Sequence, residues 1–179
     1  MKKFFLSIAF FVTLSFVVEA QTKKIYPVIK NYGSIFEVPF AGDWPDSLME
    51  YKIIAEASTD MEKPDSLYTP LDLVARMYNL HVYGGVQQKN LHIDLVIAAK
   101  AIYVVMNNEA YKKKYGVENP NLKIIEEMKK AGIKIYACGQ SMMKFGIDPT
   151  DLNPNIEPIF SRFTTVSTRQ LKGYAFFKL

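Results

Sequence analysis

The chain carries a single cysteine, Cys138, in the run Ile133-Lys134-Ile135-Tyr136-Ala137-Cys138-Gly139-Gln140-Ser141. Alternating apolar residues bring a short strand up to the sulfur, and Gly-Gln-Ser then opens the next element. The thiol is therefore expected where a parallel strand hands over to a helix, a place where α/β proteins bind and react with ligands. Free N–H groups at the start of a helix favour thiolate over thiol and make such a sulfur a better nucleophile. The alternative is that Cys138 is a small buried hydrophobe, since unpaired cysteines are among the most buried residues. Around the sulfur, Gly139 permits close backbone approach, and Gln140 and Ser141 can donate to a ligand or cap the following helix, capping being the safer role for Ser141.

The other chemistry-bearing residues are few. His81 and His92 are the only histidines, and neither stands at ligand spacing from the other or from Cys138, so no metal site is expected and no cofactor motif is present. His81 is expected in solvent at a helix end and His92 beside a strand. Lys100 and Arg162 each follow the expected end of a strand. Both can raise the positive potential near the thiol, and Lys100 is a candidate binding residue; the alternative leaves them in solvent at the rim. The run Lys112-Lys113-Lys114 reads as a solvated helix face. With a formal net charge of +4 and no basic stripe interleaved with aromatics, nucleic-acid binding is not expected. One cysteine cannot form an internal disulfide, so the fold must hold without staples.

The elements that must position these residues follow from periodicity. Tyr51 to Ala57 reads as a first strand. Thr69-Pro70 opens a helix with Leu71, Val74, Ala75 and Tyr78 on one face, ended by Gly84-Gly85. Leu91 to Ala99 is apolar enough for a central strand. Glu109 to Tyr115 is a short helix. Asn119-Pro120 opens another, with Leu122, Ile125, Met128 and Lys129 at helical spacing, closed by Ala131-Gly132. After the cysteine strand a short helix runs to Phe145, and Met142 and Met143 read as core or contact residues. Ile156 to Phe160, Thr164 to Lys172 and Tyr174 to Phe177 complete a strand, a helix and a last strand. Alternating strands and helices predict an α/β fold with a mainly parallel sheet covered on both faces.

Ahead of this domain, residues 1–20 read as a signal peptide: Lys2 and Lys3, an apolar run from Phe4 to Val18, and small residues at Val18-Glu19-Ala20. The mature protein is then expected to begin near Gln21, to be exported (periplasmic in a Gram-negative cell) and to keep no membrane span after cleavage. Residues 21–50, with Pro27, Pro39, Pro45 and several aromatics, read as an extended arm wrapped on a domain of residues 51–179.

The second half of the chain resembles the DsrE/DsrF-like family. The resemblance rests on Asn108-Glu109-Ala110-Tyr111, on Asn119-Pro120-Asn121-Leu122 leading to Ala131-Gly132-Ile133, and above all on Cys138-Gly139-Gln140-Ser141 with Gly146-Ile147-Asp148-Pro149. It continues through Leu152-Asn153-Pro154 to Gly173-Tyr174-Ala175. It implies a flavodoxin-like three-layer sandwich, a homo-oligomer (trimer or hexamer) and, in the sulfur-relay members, a cysteine at the position of Cys138 that carries a persulfide between a donor and an acceptor. Many relatives carry His-Gly at the end of the second strand, where this chain has Ala98-Ala99-Lys100-Ala101. Two functions are therefore open: an exported thiol-based sulfur carrier, or a non-catalytic oligomeric module that binds a small molecule or partner and keeps Cys138 inert.

Overall fold

Strands β1 (Tyr51–Ala57) and β2 (Leu91–Ile97) are apolar almost throughout, as strands inside a covered parallel sheet must be. In the computed structural model, which describes residues 23–179, they pair along their whole length with Tyr51 opposite Leu91 and Ala57 opposite Ile97. β3 (Lys134–Cys138), β4 (Glu157–Ile159) and β5 (Ala175–Lys178) complete a parallel sheet in the order β4-β3-β2-β1-β5. The expected signal peptide, residues 1–20, lies outside the described residues.

The strand order dictates where the helices go. The chain steps in one direction from β1 to β4, so right-handed crossovers put α1 (Thr69–Tyr83), α3 (Leu122–Lys130) and α4 (Gly139–Phe145) on one face. The return from β4 to β5 runs the other way and puts α5 (Arg162–Leu171) on the opposite face. α2 (Asn108–Tyr115) packs Tyr111 under the loop after β1. The larger core gathers Ile53, Leu95, Ile97 and Ile135 with Leu71, Tyr78, Ile125, Met128 and Met142. The smaller one holds Ile54, Val96, Tyr136 and Val166. Both faces are covered, but unequally: α5 alone covers the second.

That second face also buries two carboxylates. Glu56 pairs with Arg162 at 2.9 Å, and Asp94 with the Nε of Arg169. Charges inside a sheet layer need such partners, because desolvating an unpaired carboxylate costs several kcal/mol. The hydrogen bond to Asp94 drives the Arg169 guanidinium above its ordinary pKa, so it stays charged.

Residues 23–50 lie on the outer side of α1. Ile25 and Ile35 exchange backbone hydrogen bonds at 3.0 Å and close a loop. Inside it, the buried Asn79 side chain accepts from the N–H groups of Val28 and Ile29 and donates to the carbonyls of Ile29, Tyr32 and Gly33. Gly33, at φ +62, presses on α1 so closely that a Cβ would meet the Arg76 nitrogen at 2.1 Å.

Local readings shift in three places. β2 ends at Ile97, since Ala99 adopts φ +50 and turns the chain into a 3-10 stretch, Ala99–Val105. The helix expected from Asn119-Pro120 starts at Leu122, because the Asn119 side-chain Oδ1 accepts the Asn121 N–H and the Asn121 Oδ1 accepts the Tyr68 N–H. Its buried face is then Ile124, Ile125 and Met128, while Lys129 points to solvent. α5 starts at Arg162, two residues early, because the Ser161 hydroxyl caps it by accepting the Phe163 N–H.

Candidate functional site

Neighbouring strands whose following helices leave on opposite faces open a crevice between them, and ligands of α/β sheets bind there. Here those strands are β3, which leads to α4, and β4, which leads to α5. The crevice between them has a volume of about 610 Å³ and Cys138 on its floor. One wall is Gln140, Ser141, Lys144 and Phe145; the other is the turn from Phe160 through Thr164.

Cys138 is the last residue of β3, opposite Ile159, and stands at the position just before α4. Its sulfur accepts the backbone N–H of Arg162, the first residue of α5, at 3.3 Å. The thiol is thus placed between two helix starts. It is only 2% exposed.

The residues expected near the sulfur divide. Gln140 lines the crevice. Ser141 lines it as well, but does not cap α4: its Oγ accepts the N–H of Ala99 at 2.8 Å and so fastens the turn after β2 to the helix after the cysteine. Gly139 makes its close approach to β4 and not to the sulfur, since a Cβ there would meet the Ile159 carbonyl oxygen at 2.7 Å. Lys100 is not brought to the crevice. The turn at Ala99 sends it outward, where its ammonium pairs with Asp60 at 3.0 Å.

Arg162 is held at the site more firmly than its place after a strand implied. Its N–H reaches the thiol, its guanidinium pairs with Glu56, and it lies over the Phe163 ring at 4.6 Å from the centroid. Glu56, Lys144, Phe160 and Phe163 join the site only through the fold. Glu56 had a signal: an acidic residue inside an apolar strand requires a cation, and Asp94 in β2 repeats the pattern. Arg162 and Arg169, seven residues apart and so on one helix face, answer both.

His81 donates its Nδ1–H to the Met77 carbonyl at 2.8 Å and lies edge-on to Tyr51, and His92 pairs with Glu50. Among the described residues no three of His, Cys, Asp and Glu converge to hold a metal ion, and no helix is long and apolar enough to cross a membrane.

The sequence profile of the DsrE/DsrF-like family matches residues 55–179. The chain belongs to the DsrE/DsrF-like family. Two solved structures are similar to it in fold: a protein of unknown function, MTH1491, from Methanobacterium thermoautotrophicum, and the ychN protein of E. coli. They are 19% and 16% identical, each with a TM-score of 0.53, and each comparison covers 72% of this chain and 99% of the other. No curated protein matches it in sequence. The match spans every strand but the first four residues of β1, and includes Cys138, both walls of the crevice and α5. The loop of residues 23–50 lies ahead of it.

Proposed function

We propose that this DsrE/DsrF-like protein is a thiol-based sulfur carrier and that Cys138 holds the sulfur. The observation that carries this is the position of its Sγ on the floor of the switch-point crevice, with the Arg162 N–H donating to it. In the transfer, the Cys138 thiolate attacks the outer sulfur of a donor persulfide R–S–SH. The S–S bond of the donor breaks, R–S⁻ leaves, and Cys138–S–SH forms, so no external oxidant or reductant is needed. The same step run toward an acceptor thiolate returns the sulfur.

Burial of the thiol to 2% exposure favours a second reading, a binding module with an inert cysteine. One experiment separates them. The carrier alkylates at Cys138 in the folded state and gains the mass of one sulfur from a persulfide donor, and Cys138→Ser abolishes both. A thiol that alkylates only in denaturant leaves the binding module as the better account.

The same proposal places the mature chain outside the cytoplasm, cleaved near Ala20, as a trimer or hexamer. The leader-like residues 1–20 support the first part. Exposed Leu171, Phe176 and Phe177 on the α5 and β5 side supply apolar contact surface for the second. Intact mass of protein from the cell envelope and light scattering check them: retention of Met1, or a clean monomer at micromolar concentration, sinks the corresponding part.

A further inference from the structure

A persulfide adds one sulfur atom to Cys138, yet the crevice above it encloses about 610 Å³, within the range of sites that hold whole organic molecules. Three phenylalanines stand in its walls. Phe145 lines it from α4, and Phe160 and Phe163 line it from the turn into α5 at 76% and 70% exposure. Phenylalanines so exposed around a concavity lose their contact with water when an apolar body fills it. Arg162 stacked on Phe163 fixes one of those rings in place.

The charge of the crevice is one-sided. Lys144 and Arg162 line it, and none of its lining residues is acidic. Arg162 is committed to Glu56, which leaves the Lys144 ammonium, 5.5 Å from the centre of the Phe145 ring, as the cation facing an incoming molecule. The start of the ten-residue α5 adds its own partial positive charge.

We infer that the crevice binds a small organic anion with an aromatic or branched apolar body, seated between Phe145, Phe160 and Phe163 with its charge toward Lys144. This molecule is the R group of the donor, so its chemistry rests on the carrier reading while its binding does not. After the outer sulfur passes to Cys138, R–S⁻ remains in an apolar, positively charged site and leaves as the thiol once protonated by water.

The test is a fluorescence titration of the mature chain with two probes of like shape, anilinonaphthalenesulfonate and its uncharged counterpart phenylnaphthylamine. The sulfonate is expected to bind about tenfold more tightly. Phe163→Ala weakens both probes by about fivefold or more. Lys144→Gln removes most of the preference for the sulfonate and leaves the neutral probe unchanged. Trp44→Ala, in the separate apolar groove between Trp44, Phe36 and Leu80, changes nothing.

Loss of binding in Trp44→Ala but not in Phe163→Ala, or no saturable binding of either probe, overturns the inference. So does an affinity that falls as protein concentration rises, which would put a second copy of the chain on Phe160 and Phe163. Cys138→Ser distinguishes the two proposals. It keeps probe binding while losing sulfur uptake; a wild type that takes up sulfur without binding the probes refutes this inference alone, and the converse refutes the carrier alone.

Discussion

A Cβ on Gly139 would lie 2.7 Å from the carbonyl oxygen of Ile159. Pairing of β3 with β4 continues right up to Cys138, so the residue after the cysteine starts its helix against the backbone of the neighbouring strand. The same strand leads within three residues of its end to Arg162, whose N–H holds the sulfur. Gly139 therefore sets the width of the crevice floor.

Gly139→Ala forces β4 away from β3, because the atom in the way is backbone and cannot rotate aside. A stability loss of about 1–3 kcal/mol is expected in urea unfolding. The shift also opens the crevice floor over the buried sulfur, so the Cys138 thiol alkylates faster than in the wild type through greater access. An unchanged unfolding midpoint would show that the β4 edge yields without cost.

Asn79→Ala removes the side chain around which residues 28–33 fold. It leaves the N–H groups of Val28 and Ile29 and three carbonyls without their partner. A loss of about 2–4 kcal/mol is expected. Hydrogen exchange should rise at Val28 and Ile29 while β2 stays protected, and proteases should cut within residues 23–50 first. Continued protection of that loop would mean that Gly33 and its contact with Asp72 suffice to hold it.

Alkaline pH should unfold the protein through its tyrosines. Burial is the leading cause that raises Tyr68, Tyr78, Tyr111 and Tyr136 above the ordinary value, and it pushes Tyr115 up to about 12, helped by Tyr111, Tyr103 and Asp60. Above pH 10.0 the unfolded chain releases phenolic protons that the folded chain still holds. The unfolded state then binds fewer protons, and stability falls as pH rises. The stabilisation is complete below the ordinary value and is lost toward about 12. Tyrosinate absorbance should rise together with loss of structure, and Tyr115→Phe should flatten the decline. Tyrosines that ionise near the ordinary value in an intact fold would contradict this.

Element order and type were legible because each strand and helix carries its own period and punctuation: Pro70 at the start of α1, Gly116 after α2, and the alternation of Ile133 to Cys138. What escaped was set by contacts distant in sequence. Nothing around Ala98-Ala99-Lys100 reveals that Ala99 takes φ +50, since alanine has no preference for it; Ser141, far along the chain, accepts its N–H. Lys100 therefore reads as a strand-end residue in the sequence, although the chain has left the strand at Ile97. In α3 the pattern places Ile125 and Met128 on the buried face correctly, but the late start at Leu122 escapes it, because the side chain of Asn121 is engaged by Tyr68 from the loop before α1. At the site, the cysteine and the helix start that follows it are readable from local pattern, while the second helix start, at Arg162, is not. Nor is the crevice, because it depends on which way the chain turns after β4.

The single-helix cover of the second sheet face has a consequence for the buried thiol. The apolar side chains beneath α5 form the smaller core, and its two ion pairs hold it to β1 and β2. A layer with so little apolar burial detaches at a lower free energy than the rest of the sheet, as a cooperative unit of its own. When it does, Arg162 leaves the sulfur and Cys138 meets solvent while the α1 side remains folded. Access to the thiol is then a local breathing motion with its own rate, which a reagent in excess would reveal as alkylation that no longer speeds up with concentration.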